Sequence, residues 1–112
     1  MSHDYKIKML IKRVDEPVGH MAVVSDKLEN LQGHVGGYLE AVTLRQGLVM
    51  LVDEEGLIKE KPYNCRVDGI PVFGDLLIVG AAGDEFSDIP ITMSEWKERW
   101  MSDSAAATRK EE

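Results

Sequence analysis

Only one cysteine, Cys65, occurs in the 112 residues. An intramolecular disulfide is therefore impossible, and a reducing compartment is expected. Basic residues are also in short supply. Thirteen Lys and Arg stand against 20 Asp and Glu, leaving a formal net charge of −7 and a pI near 4.9. That balance does not suit unassisted binding to a phosphate backbone, which needs a face of Lys and Arg, so no direct nucleic-acid contact is expected. It suits solubility, a basic partner, or mimicry of a polyanion. No apolar run approaches the roughly 20 residues of a spanning helix, so no membrane partner is expected. Met1-Ser2-His3-Asp4 carries no basic segment leading into an apolar run. No secretory leader is expected from it, and the expected location is the cytoplasm.

Complete chemical motifs are lacking too. His20, His34 and Cys65 are the soft-ligand inventory beside His3, and none of them pair at zinc-site spacing. Gly33-x-x-Gly36-Gly37 follows a helical stretch and precedes a strand. A phosphate cradle needs the reverse order, so that a helix N-terminus faces the anion. The acidic run Asp53-Glu54-Glu55 lacks the alternating Asp/Asn spacing of an EF-hand. No cofactor and no metal ion are expected.

What is present is a core. Apolar residues form 44% of the chain, an ordinary globular share. The length predicts one α+β domain over residues 1–101, followed by a flexible tail over 102–112. In Tyr5 to Val14, Tyr5, Ile7, Met9 and Ile11 alternate with Lys6, Lys8 and Lys12, the period of a strand; Leu10 breaks it, so the second face is partly covered. His20 to Val24 reads as a second extended segment. Asp26 with Glu29 predicts a capping box, and Leu28, Leu31 and Val35 share one helical face. Gly33 and Gly36-Gly37 end that helix. Tyr38–Leu44 and Leu48–Val52 form a hairpin about Arg45-Gln46-Gly47, and the run LVMLV reads as a central strand covered on both faces. Pro62 to Arg66 reads as irregular, with Cys65 in a loop. Val72 to Val79 reads as one strand with a bulge at Gly74-Asp75. Thr92 and Glu95 form a second capping box, opening an amphipathic helix with Met93, Trp96, Trp100 and Met101 on one stripe. The expected fold is a mostly antiparallel sheet of four to five strands with one short helix and one amphipathic C-terminal helix.

The ordered set Leu28-x-x-Leu31-Gln32-x-x-Val35-Gly36-Gly37-Tyr38-x-Glu40, Glu54-Glu55-Gly56, Pro62-x-Asn64 and Gly74-Asp75-x-x-Ile78-Val79-Gly80 resembles the family catalogued as domain of unknown function 3846. The resemblance implies a bacteriophage or mobile-element setting and no particular reaction. It also implies Asn before Glu-Glu-Gly, where this chain has Asp53.

Three functional readings follow. The first is a non-enzymatic phage or mobile-element accessory protein that binds and blocks a host component, either a small signalling nucleotide or a defence protein. Its expected ligand-binding residues are Gly36, Gly37, Tyr38, Glu54, Asn64 and Arg66, with an acidic DNA mimic as a variant. The second is a small metal-assisted hydrolase using Glu40, Asp53, Glu54 and Glu55, since convergent carboxylates can hold Mg²⁺ or share acid and base roles. The third is a structural homodimer through Trp96 and Trp100, since Trp is enriched at interfaces. Each has a plainer counterpart in a solvated acidic turn, a tight glycine reversal, a buried thiol at Cys65 and core tryptophans.

Overall fold

A computed structural model describes residues 5–110. Strand β1 (Lys6–Lys12) pairs with β2 (His20–Ser25), and helix α1 (Leu28–Val35) leads into the hairpin of β3 (Leu39–Arg45) and β4 (Leu48–Asp53). Next come β5 (Tyr63–Val67), β6 (Ile70–Phe73), β7 (Leu76–Ala82) and β8 (Glu85–Ser87). A single α-helical turn, α2 (Met93–Glu95), runs into a π-helical turn, Trp96–Trp100. The described chain ends with β9 (Met101–Ser102) and α3 (Ala105–Lys110). Among the described residues, no helix is long and apolar enough to cross a membrane.

These strands form two antiparallel sheets. The larger has the order β2-β1-β7-β4-β3, with β8 also on β7; the smaller has the order β6-β5-β9. The fold is therefore α+β and mostly antiparallel, as the sequence indicates, but with more strands than the four or five expected. Two local misreadings account for β5 and β6, and the short strands β8 and β9 are further additions. Pro62 to Arg66 is not irregular: Tyr63 to Val67 is a strand, and Cys65 lies on it with no exposed surface. Val72 to Val79 is not one bulged strand. Gly74, at φ +94°, and Asp75 turn a corner that sends β6 into the small sheet and β7 into the large one.

Strand periodicity places the core on both faces of the large sheet. Ile7, Met9, Ile11, Val49, Leu51, Leu77 and Val79 point one way and meet Leu31 and Val35 of α1. Leu10, Met50, Val52, Leu76 and Ile78 point the other way, onto Cys65, Val67 and Val72 of the small sheet and onto Trp96. That double cover accounts for β4, in which all six residues are buried.

The helices depart from expectation at their ends. The α1 N-cap is Lys27, without a side-chain cap bond, while the Asp26 carboxylate instead accepts the Tyr5 amide at 3.0 Å. The Thr92–Glu95 capping box is present in full, but no regular amphipathic helix follows it. The chain shifts to π geometry at Trp96, whose indole Nε1 donates to Val18 O at 2.7 Å. The segment beyond residue 101 carries β9 and α3, and Ser104 and Ala106 are buried; residues 111–112 of the expected tail lie outside the described residues.

Candidate functional site

Helix α1 ends on Gly36, which takes the left-handed conformation at φ +80°. Its amide and that of Gly37 both donate to Gln32 O, at 2.8 and 3.2 Å. Gly37 is a glycine for a different reason: a Cβ there would stand 2.5 Å from Asp53 Oδ1. The carboxylate at the end of β4 thus lies flat against the backbone that leaves the helix. It is almost fully buried and is held by Lys61 Nζ at 2.7 Å, Lys59 Nζ at 3.0 Å and the Glu55 amide at 2.9 Å. Lys61 also donates to Val35 O at 2.8 Å, one of the carbonyls a helix leaves unsatisfied at its C-terminus, where positive charge suits the helix dipole. Burial by itself raises the Asp53 pKa; the bonds from Lys61, the Glu55 amide and Lys59 outweigh it and hold the carboxyl down to about 2. Asp53 is therefore a clamp that fastens the 54–61 turn to the end of α1. Both its oxygens are engaged, so it cannot join Glu40, Glu54 and Glu55 as a metal ligand without releasing the lysines. Among the described residues, no three His, Cys, Asp or Glu side chains converge as a metal-binding group.

A second polar cluster lies between the sheets. Lys12, on the same face of β1 as Leu10, has no exposed surface. Its Nζ donates to Asn64 Oδ1 at 2.7 Å, Glu16 O at 2.6 Å and Arg13 O at 3.3 Å. Asn64 Nδ2 donates in turn to Lys12 O at 3.0 Å and Gly74 O at 2.9 Å. All three acceptors on Lys12 are neutral, and burial lowers its pKa. Asn64 is accordingly a sealed junction of β1, β5 and the Gly74 corner, and it does not face a ligand from solvent. Burial also pushes the neighbouring Cys65 thiol up to about 11. Arg66 points to the exposed side of β5, where it donates to Gly69 O at 3.0 Å, with Asp103 Oδ2 4.0 Å away. Burial and a hydrogen bond to Asp103 push the Tyr63 hydroxyl up to about 12.

The concavity of most chemical interest lies where the hairpin faces the small sheet. A groove of about 250 Å³ has Val42, Met50, Val52 and Val72 as its floor, with Leu57, Ile70, Pro71 and Phe73 as one wall. Glu40 and Glu54 stand at its rim beside the clamped Asp53, and among the described residues no Lys, Arg or His lines it. Both glutamates are exposed, and among the described residues neither carboxylate has a cation within 4.0 Å. Leu57 (68% exposed), Ile58 (79%) and Tyr38 (71%) present large apolar surface in the same part of the chain. The Glu54 amide donates to Tyr38 O at 2.9 Å, which ties that rim together.

The structure thus gathers Gly36, Gly37, Tyr38 and Glu54 at one end of the hairpin and leaves Asn64 and Arg66 elsewhere. Trp96 is sealed in the core and cannot be half of an exposed interface; Trp100 is half-buried against the same core. Sequence reasoning missed the groove floor, the clamp lysines and Lys12. Lys12 could have been found from its spacing, since it stands two residues after Leu10 on the covered face.

Fold and site together define a two-sheet antiparallel α+β domain with an acid-rimmed apolar groove at the mouth between its sheets. The family model described as domain of unknown function (DUF3846) matches residues 7–101, and the chain belongs to that family. No curated protein and no solved structure matches it.

Proposed function

We propose that this chain is a non-enzymatic binding protein, acting in the phage or mobile-element setting that its family resemblance implies, and that it blocks a host protein by seating part of it in the groove between β3–β4 and β6. The observation that carries this is a pair of exposed carboxylates, Glu40 and Glu54, without a cation within 4.0 Å among the described residues, on a groove whose lining is otherwise apolar apart from the lysine-clamped Asp53. Apolar floors supply contact area and a few polar groups supply orientation. Here the polar groups are both acidic, so they favour a cationic side chain and repel phosphate. The charge of the groove therefore favours a protein bearing Lys or Arg over a signalling nucleotide. The groove is also small, which suits one or two side chains of a larger partner.

Affinity purification from host cells, followed by reconstitution from purified components, tests this reading. Binding of a host protein to the wild-type chain should weaken steeply as salt is raised. It should be lost with the Glu40→Lys/Glu54→Lys double variant. A partner that ignores the double variant contradicts the reading. So does a nucleotide that raises the melting temperature at near-stoichiometric amounts.

A further inference from the structure

The backbone of β3 says how such a partner is held. β3 ends the sheet order, so one of its edges has no ladder partner among the described residues. The Glu54 amide donates to Tyr38 O, which makes Tyr38 and Glu54 a hydrogen-bonded pair of the antiparallel ladder. Hydrogen-bonded pairs recur every second residue, so Glu40 with Val52 and Val42 with Met50 are also of that kind. The peptide groups of Leu39, Ala41 and Thr43 therefore point away from β4, toward the free edge. No proline interrupts β3, and its one irregularity lies beyond Thr43. Strands with such edges are open to pairing. By contrast, the free edge of β6 carries Pro71.

Side chains add a second constraint. Glu40 and Val42 lie on the groove face of β3, two residues apart, and occupy non-hydrogen-bonded positions toward the free edge. Side chains approach most closely across such pairs. A strand laid along this edge places its own residues i and i+2 opposite Glu40 and Val42, at the groove mouth.

Resting on the binding reading above, we infer that the groove's occupant is an extended segment that adds a strand to the free edge of β3. It sets a Lys or Arg opposite Glu40 and, two residues away, an aliphatic side chain opposite Val42. Main-chain bonds to Leu39, Ala41 and Thr43 supply affinity, and the groove with its glutamates supplies selectivity.

The test uses an octapeptide of threonine with one lysine and one leucine two positions apart, its glutamate-for-lysine counterpart, and the lysine peptide N-methylated at alternate amides. Hydrogen exchange is followed on the full chain by NMR. In the free protein the amides of Ala41 and Thr43 should exchange fast, and those of Glu40 and Val42 slowly. The lysine peptide should slow Ala41 and Thr43 at least tenfold, and N-methylation should weaken binding by about tenfold or more. Glu40→Gln/Glu54→Gln should reduce the lysine preference severalfold. Equal binding of the N-methylated peptide, with shifts still confined to the groove, overturns strand addition and leaves the groove reading standing. Failure of every peptide to shift Val42, Val52, Leu57 or Val72 overturns both.

Discussion

At the scale of single residues, two buried polar clusters fix the geometry around the groove. Asp53 is the first. Its folded pKa of about 2 lies below the ordinary 3.8, so the unfolded chain takes up the proton first as acid is added. The clamp's contribution is therefore fully present above about pH 4 and is lost as pH falls toward 2. A shift of this size corresponds to roughly 2 kcal/mol. Asp53→Asn should cost about that much in denaturant unfolding at pH 6, and the gap between variant and wild type should close near pH 2. A constant gap across that range would place the cost outside the carboxylate's charge. Asn64 is the second cluster. Asn64→Ala strips Lys12 of its one side-chain acceptor among the described residues and leaves two buried carbonyls without their donor, for a loss of about 3 kcal/mol. Equilibrium urea unfolding reads this directly, and a change under about 1 kcal/mol would mean that water replaces the amide.

At the scale of elements, the sequence announces what repeats and conceals what turns. The β3–β4 hairpin, β1 and the capping box at Thr92 follow from local signals: period two, a glycine turn, and a Thr–Glu spacing of three. The π turn after Glu95 has no such signal, because the stripe Met93, Trp96, Trp100 fits an ordinary helix equally well. It forms where Trp96 is drawn down to Val18 O. The corner at Gly74-Asp75 is hidden for a related reason: an unbroken β-rich run reads as one strand even when its halves belong to different sheets. The spacing of Lys12 from Leu10 places it on the covered face, but its pairing with Asn64 is hidden, because it depends on a contact 52 positions apart. The groove is half legible. Its acidic rim follows from the hairpin's register, while its floor depends on how the small sheet lies over β4. Within α1, Gly33 is exposed and helical, and a methyl group added there would meet open space. Gly33→Ala should therefore stabilise the protein by about 0.5–1 kcal/mol through a stiffer unfolded chain and a better helix former. A melting temperature that falls would show that this face of α1 is not as open as its surroundings indicate.

At the scale of the whole molecule, the large sheet is buried on both faces along its centre and left open at β3. The net charge of −7 adds a field that draws basic partners and discourages association of the chain with itself. That field is long-ranged and unspecific; Glu40 and Glu54 localise it where apolar surface is also available. Recognition by this groove of an apolar segment bearing positive charge can be read from methyl NMR of Val42, Val52, Leu57 and Val72 during titration with the lysine octapeptide and with its glutamate counterpart. Saturable shifts are expected with the lysine peptide alone, diminished in Glu40→Gln/Glu54→Gln. Shifts of equal size with the glutamate peptide, or none with either, would refute charge-selective recognition at the groove.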